Sequence, residues 1–175
     1  MLFFFIFSAV PSSVAFSEEN IDLIEQAAFL EEDEIDIGHI CLLFAKEAYS
    51  ELDVDEYSKK LDHMVWEIQK YTRDMGDESD PDHRIRCLNS YFYRYKGFHF
   101  DNDDPYASKL KNRYINGLID TKSGSCFTLP LLYLALAQRL GYPVYPVSAP
   151  QHLFLRYVDP NLEMRNIEAT GGGGY

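Results

Sequence analysis

Basic residues are scarce in this chain of 175 residues. It carries 28 acidic and 16 basic side chains, which gives a formal net charge of −12 at pH 7. Nucleic-acid binding depends on neutralising phosphates with Lys and Arg, so this balance argues against DNA or RNA as a partner. The first 45 residues contain nine acidic residues and no Lys or Arg. The acidic run at 31–34 predicts a solvated face, with a binding patch as the alternative.

Cysteine is also rare, and Cys41, Cys87 and Cys126 are the only three. Three cysteines are too few for a disulfide framework, and the odd number leaves at least one thiol free. Cys41 and Cys87 fall on apolar faces of predicted helices, which favours reduced core residues, although export would permit them to pair. Cys126 therefore becomes the thiol of interest.

Beyond its N-terminus the chain lacks an apolar run long enough to cross a membrane. Residues 1–16 are apolar, but Pro11 interrupts them well short of the ~20 residues that a spanning helix needs. Residues 1–17 predict a secretory signal peptide and hence a periplasmic or extracellular protein. A positively charged start is missing, so an N-terminal anchor or a helix packed on the domain remains the alternative. Without a signal peptide the protein would be cytoplasmic.

A composition of 46% hydrophobic and 15% aromatic residues is enough for a sizeable core and excludes intrinsic disorder. At roughly 150 residues per domain, we expect a single domain over residues 18–175. Its parts would be a helical region, 18–96, and a core that carries the chemistry, 97–175. The glycine run at 171–174 resembles an interrupted loop, so we expect that the parent protein continues beyond Tyr175.

Apolar residues at three- and four-residue spacing predict helices, and alternating apolar residues near the C-terminus predict strands. The predicted helices are residues 21–29, 37–49, 54–71, 84–95, 114–119 and 127–140. The predicted strands are residues 144–147, 152–158 and 164–169. Helices followed by strands indicate an α+β fold.

Three local features refine these helices. We expect Gly38 to separate the first two helices, and Asp53 or Asp55 to cap the third. Helix 127–140 is apolar on nearly every side, with only Gln138 and Arg139 left for water. This pattern predicts a helix that the rest of the domain encloses.

Cys126 precedes this enclosed helix and follows Gly124, which removes a side chain beside it. Free N–H groups and the helix dipole at such a position favour a thiolate and can hold an oxyanion. His152 begins the second predicted strand, and Glu168 lies in the third, in the chain order nucleophile, base and orienting acid. With the hairpin centred on Pro160, we expect His152 to stand opposite Glu168.

Each of these residues also has a structural interpretation. Cys126 could be a core cysteine packed at a helix start, and His152 alone could be an ordinary hydrogen-bonded histidine. Ser125, Asn116 and Gln151 are candidates for oxyanion or positioning donors, although Asn116 and Gln151 could equally be surface amides.

Metal chemistry has little support in the sequence. His83, His99 and the carboxylates at 101–104 do not form a calcium-loop pattern, because Pro105 and a missing Gly and Glu interrupt it. We expect solvated loops there, with no metal and no cofactor.

Several segments resemble a known family. They read TKSGSCFTLPLLYLALAQRLGYPV at 121–144, APQHLFLR at 149–156, NIEATGG at 166–172, ELDVDEY at 51–57 and RCLNSYFYRYKGF at 86–98. Together they are similar to the transglutaminase-like superfamily of papain-fold cysteine enzymes, in particular to its SirB-like bacterial branch. The resemblance covers roughly residues 35–172.

The resemblance implies a helical N-terminal layer packed on a papain/transglutaminase-like core, with a buried helix that begins at the cysteine and a small antiparallel sheet. It carries a Cys-His-acid triad over to Cys126, His152 and Glu168, with Glu where Asp is common in the family. It does not imply one substrate, because the superfamily includes transglutaminases, hydrolases, deamidases and inactive members.

The sequence therefore predicts a cysteine acyl-transfer enzyme that acts on a protein or peptide. Hydrolysis of peptide or amide bonds is favoured over cross-linking, because no site for an amine is recognisable. The alternative is an inactive module of the same fold that binds a protein partner.

Overall fold

The computed structural model describes residues 35–150, 152–158 and 164–173. The predicted signal peptide, the predicted helix 21–29 and the turn at 159–161 lie outside the described residues. In the described ranges, no helix is both long enough and apolar enough to span a bilayer.

Five α-helices make up nearly half of the described chain. They are α1 (Ile37–Ala48), α2 (Val54–Met75), α3 (Pro81–Asn89), α4 (Ile115–Thr121) and α5 (Thr128–Arg139). A π-helical turn, Ser90–Tyr95, continues α3, and short 3-10 turns cover Leu110–Asn112 and Ala169–Gly171. Each predicted helix that falls in the described ranges is thus confirmed, with α2 longer than expected.

Aspartates begin the first three helices. Asp36, Asp53 and Asp80 each accept a hydrogen bond from a backbone amide two or three residues ahead, at 2.9 to 3.0 Å. Each carboxylate satisfies an N–H that lacks a partner in the helix and lies at the positive end of the helix dipole. The residue that caps α2 is therefore Asp53 and not Asp55.

Two small sheets complete the fold. β1 (His99–Phe100) pairs in parallel with β2 (Ser123–Gly124). β3 (Val144–Ala149), β4 (His152–Val158) and β5 (Met164–Ile167) form an antiparallel sheet in the order β3-β4-β5. The α+β class is confirmed, and the parallel pair is an addition that the sequence pattern did not reveal.

Helix α5 lies at the centre of these elements. Its Leu129, Leu132, Tyr133 and Leu136 side chains are fully buried, and it contacts α1, α2, α4, β3 and β4. Burial of one such side chain stabilises a fold by roughly 1.5–3 kcal/mol. The prediction of an enclosed helix is confirmed.

The expectation that Gln138 and Arg139 face water is wrong. Gln138 accepts a hydrogen bond from the Ile37 amide at 3.0 Å. Arg139 donates to Asp36 at 2.7 Å and to Asp62 at 2.8 Å, and its side chain is only 13% exposed. The last turn of α5 lies against the first turn of α1 and against α2, so these polar side chains join the three helices.

Gly38 lies inside α1, so the prediction that it separates two helices is also wrong. A Cβ atom at this position would stand 2.7 Å from Leu61 Cδ1 and 3.3 Å from Ala135 Cβ. The missing side chain allows α1 to approach both α2 and α5.

Gly117 gives a sharper test of close packing. A Cβ atom there would stand 2.1 Å from the carbonyl oxygen of Lys111, a backbone atom that cannot rotate away. We expect Gly117→Ala to lower the free energy of unfolding by about 3 kcal/mol or more in urea denaturation. The matched control is Gly141→Ala, where φ is +69° but the space around the Cβ is open. The control should cost only about 1 kcal/mol, and equal losses in the two variants would contradict the packing shown here.

Candidate active site

Cys126 lies in the connection between β2 and α5. The Ser125 hydroxyl accepts from the Thr128 amide at 3.1 Å, and the Thr128 hydroxyl accepts from the Ser125 amide at 2.9 Å. This reciprocal cap satisfies amides on both sides of Cys126 and fixes the path of the chain at the start of α5.

The cap defines what each residue of the connection can do. Ser125 is buried, and its amide and hydroxyl are both engaged in the cap, so its side chain holds the backbone next to Cys126. Among the described residues the Cys126 amide has no hydrogen-bond partner. That amide is therefore the donor nearest the thiol that could hold an oxyanion.

The three thiols differ in their surroundings. All are free cysteines, with Cys41 and Cys87 buried and Cys126 only partly buried. Burial, with the Asp36 carboxylate nearby, raises the pKa of the Cys41 thiol to about 12. Burial also raises the pKa of Cys87. Of the three, Cys126 is the thiol that a solvent-borne reagent can reach.

His152 and Glu168 form a close pair. His152 Nε2 lies 2.6 Å from Glu168 Oε2, and both side chains are partly exposed. Because the carboxylate occupies Nε2, it orients the ring and leaves Nδ1 for another partner. A general base requires an acid on one nitrogen and an available second nitrogen, and Nδ1 has no hydrogen-bond partner among the described residues.

The register of this hairpin differs from the prediction by two residues. Leu155 pairs with Ile167 and Val158 pairs with Met164, so position i pairs with 322 − i and not with 320 − i. The connection therefore comprises residues 159–163, and its length was not visible in the sequence. A shift of two residues keeps side chains on the same face, and Glu168 reaches His152 diagonally.

The pair lies on the outer face of the sheet. His152 shares its face of β4 with Phe154, whose ring centre is 6.2 Å away, whereas Leu155 and Tyr157 on the opposite face are buried. Among the described residues, no hydrogen bond joins the Cys126 thiol to His152. The structure thus brings the predicted base and acid into hydrogen-bond contact.

Contacts between secondary-structure elements connect the segment that carries Cys126 with the segment that carries Glu168. β2 leads directly to Cys126 and pairs with β1, and β1 also contacts the 3-10 turn Ala169–Gly171. That turn follows Glu168 and contacts α5 as well. The strand that leads to Cys126 and the turn that follows Glu168 therefore both contact β1.

Glu168 is held by the chain that follows it. Its Oε1 accepts from the Thr170 amide at 3.1 Å and from the Thr170 hydroxyl at 2.6 Å. The amides of Gly171 and Gly173 donate to its carbonyl oxygen at 3.2 and 3.0 Å. Partial burial raises the pKa of Glu168, but the hydrogen bonds from Thr170 and His152 outweigh it and lower the pKa below 4.5.

Sequence reasoning missed the residues that support this turn. Asn89 donates to the Gly173 carbonyl at 3.2 Å and accepts from the Tyr133 hydroxyl at 2.8 Å. A Cβ at Gly173 would stand 2.7 Å from Tyr93, in the π-helical turn. The Tyr93 hydroxyl is buried without a partner among the described residues, and burial and the Glu168 carboxylate raise its pKa. A π-helical turn is common near functional sites, but nothing in the sequence predicted one here.

Asn116 is the remaining predicted donor that the structure describes. Asn116 is buried in α4, and its Oδ1 has no hydrogen-bond partner among the described residues. Gln151 lies outside the described residues.

The acidic loop after β1 is structural. Asp101 and Asp104 are buried, which corrects the expectation of a solvated loop, and Asn112 donates to them at 2.8 and 2.7 Å. Hydrogen bonds from Ser108 to Asp104 and from Asn112 to Asp101 lower the pKa of each carboxyl. In the described part of the chain, no group of three His, Cys, Asp or Glu side chains could hold a metal ion.

The fold and these residues define an α+β domain in which a cysteine begins a buried helix and a His-Glu pair lies on the sheet beside it. The family model of the transglutaminase-like superfamily matches residues 55–175, which is more than half of the chain. The chain therefore belongs to the transglutaminase-like superfamily, as its resemblance to that family predicted.

The chain is also similar to several curated proteins. A UPF0162 protein of Xylella fastidiosa is 26% identical over 137 residues, which cover 78% of this chain and 47% of the relative. A UPF0162 protein of Pasteurella multocida is 30% identical over 97 residues, which cover 55% of this chain and 35% of the relative. Human F-box only protein 21 is 32% identical over 76 residues, 42% of this chain and 11% of the relative.

The similarity to UPF0162 proteins is consistent with the SirB-like bacterial branch. The chain spans about half, or less, of the length of these curated relatives. No solved structure matches it significantly.

The lowered pKa of Glu168 predicts how acid affects stability. A carboxyl whose pKa is lower in the folded state stabilises the fold above its unfolded pKa, and this stabilisation is lost as the pH falls through the folded value. We expect wild-type protein to lose more stability between about pH 5 and pH 3 than Glu168→Gln does, measured by urea denaturation. The exposed Glu51→Gln variant should follow the wild type. Parallel curves for wild type and Glu168→Gln would contradict this prediction.

Proposed function

We propose that this chain is a cysteine acyl-transfer enzyme that hydrolyses peptide or amide bonds through Cys126, His152 and Glu168. The observation that carries the proposal is the 2.6 Å contact between His152 Nε2 and Glu168 Oε2. It leaves the Nδ1 atom available as a base, in a domain whose partly buried thiol stands at a helix start.

Each step has a residue to carry it. His152 removes the thiol proton of Cys126, and the thiolate forms a bond to the substrate carbonyl carbon. The Cys126 amide donates to the resulting oxyanion. His152 then returns the proton to the leaving amine as the C–N bond breaks, which leaves a thioester on Cys126. Water attacks the thioester with His152 again as base, and the acid product and free thiol are released.

Glu168 acts in this scheme by orienting His152 and by stabilising the imidazolium that forms when the ring takes a proton. Its hydrogen bonds to Thr170 keep it ionised, because they lower its pKa. The scheme also requires contact between Cys126 and His152 Nδ1 in the substrate complex. Hydrogen bonds in catalytic sites often tighten only when the substrate is bound.

The proposed substrate is a protein or peptide, and water is the proposed acceptor of the acyl group. A cross-linking enzyme needs a second site that binds a primary amine, and the sequence shows no feature that would form one. Hydrolysis needs only access of water to the thioester.

One observation favours a second candidate, an inactive module that binds a protein. His152 lies on the outer face of the sheet without a hydrogen bond to Cys126, and Tyr145 and Met164 are exposed large side chains on that same face. Exposed apolar side chains on a sheet are typical of a docking surface. In this alternative Cys126 is a structural residue at the start of α5.

A peptide library distinguishes the two candidates. We expect wild-type protein to hydrolyse a subset of peptides, as read by mass spectrometry. Cleavage of the chain adds water across two products, and hydrolysis of a side-chain amide gives a carboxyl with release of ammonia. Cys126→Ala should reduce the rate at least about 10³-fold, because it removes the nucleophile. The control Cys87→Ala should keep the wild-type rate. Folded wild-type protein that binds peptides without converting any of them would contradict the enzyme and favour the binding module.

A further inference from the structure

A cavity of about 550 Å³ lies between α2, α4 and the chain that follows the π-helical turn. Four lysines from these three parts of the chain line it, Lys59, Lys60, Lys96 and Lys122, and we name it the lysine pocket. Pockets for small ligands have volumes of about 300–1,000 Å³. None of Cys126, His152 and Glu168 lines this pocket, so it is separate from the candidate active site.

The lysine pocket carries a net positive charge, whereas the net charge of the whole chain is negative. Two carboxylates line it with the four lysines, Glu56 and Asp120, and both lie near Lys60, at 2.8 and 4.0 Å. Glu67, beside the pocket, pairs with Lys96 at 2.6 Å. The lysines still exceed these three carboxylates by one charge, although the whole chain has a net charge of −12. The sign of the charge is thus reversed locally at a concave surface.

The backbone conformation and the surroundings of Lys122 cost free energy. Its φ of 63° lies in the left-handed region, which residues other than glycine rarely adopt. Its ammonium group donates to the Ile119 carbonyl at 2.5 Å and lies 4.9 Å from the centre of the Phe98 ring. Partial burial and then the Lys96 ammonium lower the pKa of Lys122. An anion between these lysines would relieve their repulsion, and backbone strain of this kind is concentrated at functional positions.

Two exposed aromatic rings stand beside the pocket. Trp66, 54% exposed, stacks on the pocket residue His63 with ring centres 5.8 Å apart. Tyr95, 70% exposed, has the Lys96 ammonium 5.4 Å from its ring centre. Trp66 is the single tryptophan of the chain. Exposed rings next to residues that line a pocket provide an apolar surface on which part of a ligand can rest.

We propose that the lysine pocket binds a small molecule that carries phosphate groups. Ammonium groups are compact, strongly charged donors suited to phosphate oxygens. Four ammonium groups around one cavity suit a ligand with several negative charges better than they suit a ligand with a single carboxylate. The net charge of the chain repels anions at long range, so the local arrangement must supply the attraction.

The test is isothermal titration of the protein with pyrophosphate at about 0.15 M salt, where long-range electrostatic interactions are screened. We expect saturable binding by one site. Lys59→Met should weaken it roughly tenfold or more, as should Lys122→Met, because each variant removes one charged donor. Lys70→Met is the control, since Lys70 lies on α2 outside the pocket and pairs with Asp74.

Lys59 is exposed, so Lys59→Met tests binding without disturbing the packing that Lys122 takes part in. Weaker binding in Lys59→Met with unchanged binding in Lys70→Met supports the proposal. Absence of saturable binding to the wild type would overturn it. So would equal weakening in Lys59→Met and Lys70→Met, or unchanged binding in Lys59→Met.

Discussion

Enclosure of α5 is the constraint on which the other features depend. A helix with almost no polar side chain must be covered on every side, and here α1, α2, α4 and the antiparallel sheet cover it. Its two ends must then find hydrogen-bond partners inside the protein. Ser125 and Thr128 satisfy the start, and Gln138 and Arg139 connect the end to α1 and α2.

The position of Cys126 follows from this constraint. The start of an enclosed helix must lie near the surface of the core, because the chain has to enter there, and the cap fixes the residues on both sides of the cysteine. A thiol at this place is partly accessible while the capping residues Ser125 and Thr128 are buried. The same enclosure excludes solvent from Cys41, which lies in α1 against the core.

Much of the fold could be predicted because apolar periodicity extends over whole helices. The parallel pair of β1 and β2 could not be predicted, since strands of two residues are too short to show an alternating apolar pattern. The contacts of Gln138 and Arg139 were missed because polar side chains at a helix end usually face water. Whether such a residue instead meets another helix depends on tertiary packing, which spacing along one helix does not contain.

The candidate site, too, was predictable from the sequence only in part. The chain order of Cys126, His152 and Glu168 was visible, and alternation along strands predicted that His152 and Glu168 share a face. The register was wrong by two residues because it depends on the length of a turn. Glutamate is long enough to span this offset, which gives a physical reason for Glu at this position. Support from Thr170 and from the glycines after it depends on the turn itself and was not predictable.

The central claim is that His152 activates Cys126. The most direct test is the rate of Cys126 alkylation by iodoacetamide across pH, read by mass spectrometry, with Cys41 and Cys87 as internal references. The account predicts that at about pH 6.5 Cys126 reacts much faster than either buried thiol and that His152→Ala slows it at least tenfold. An equal rate in wild type and in folded His152→Ala would contradict it.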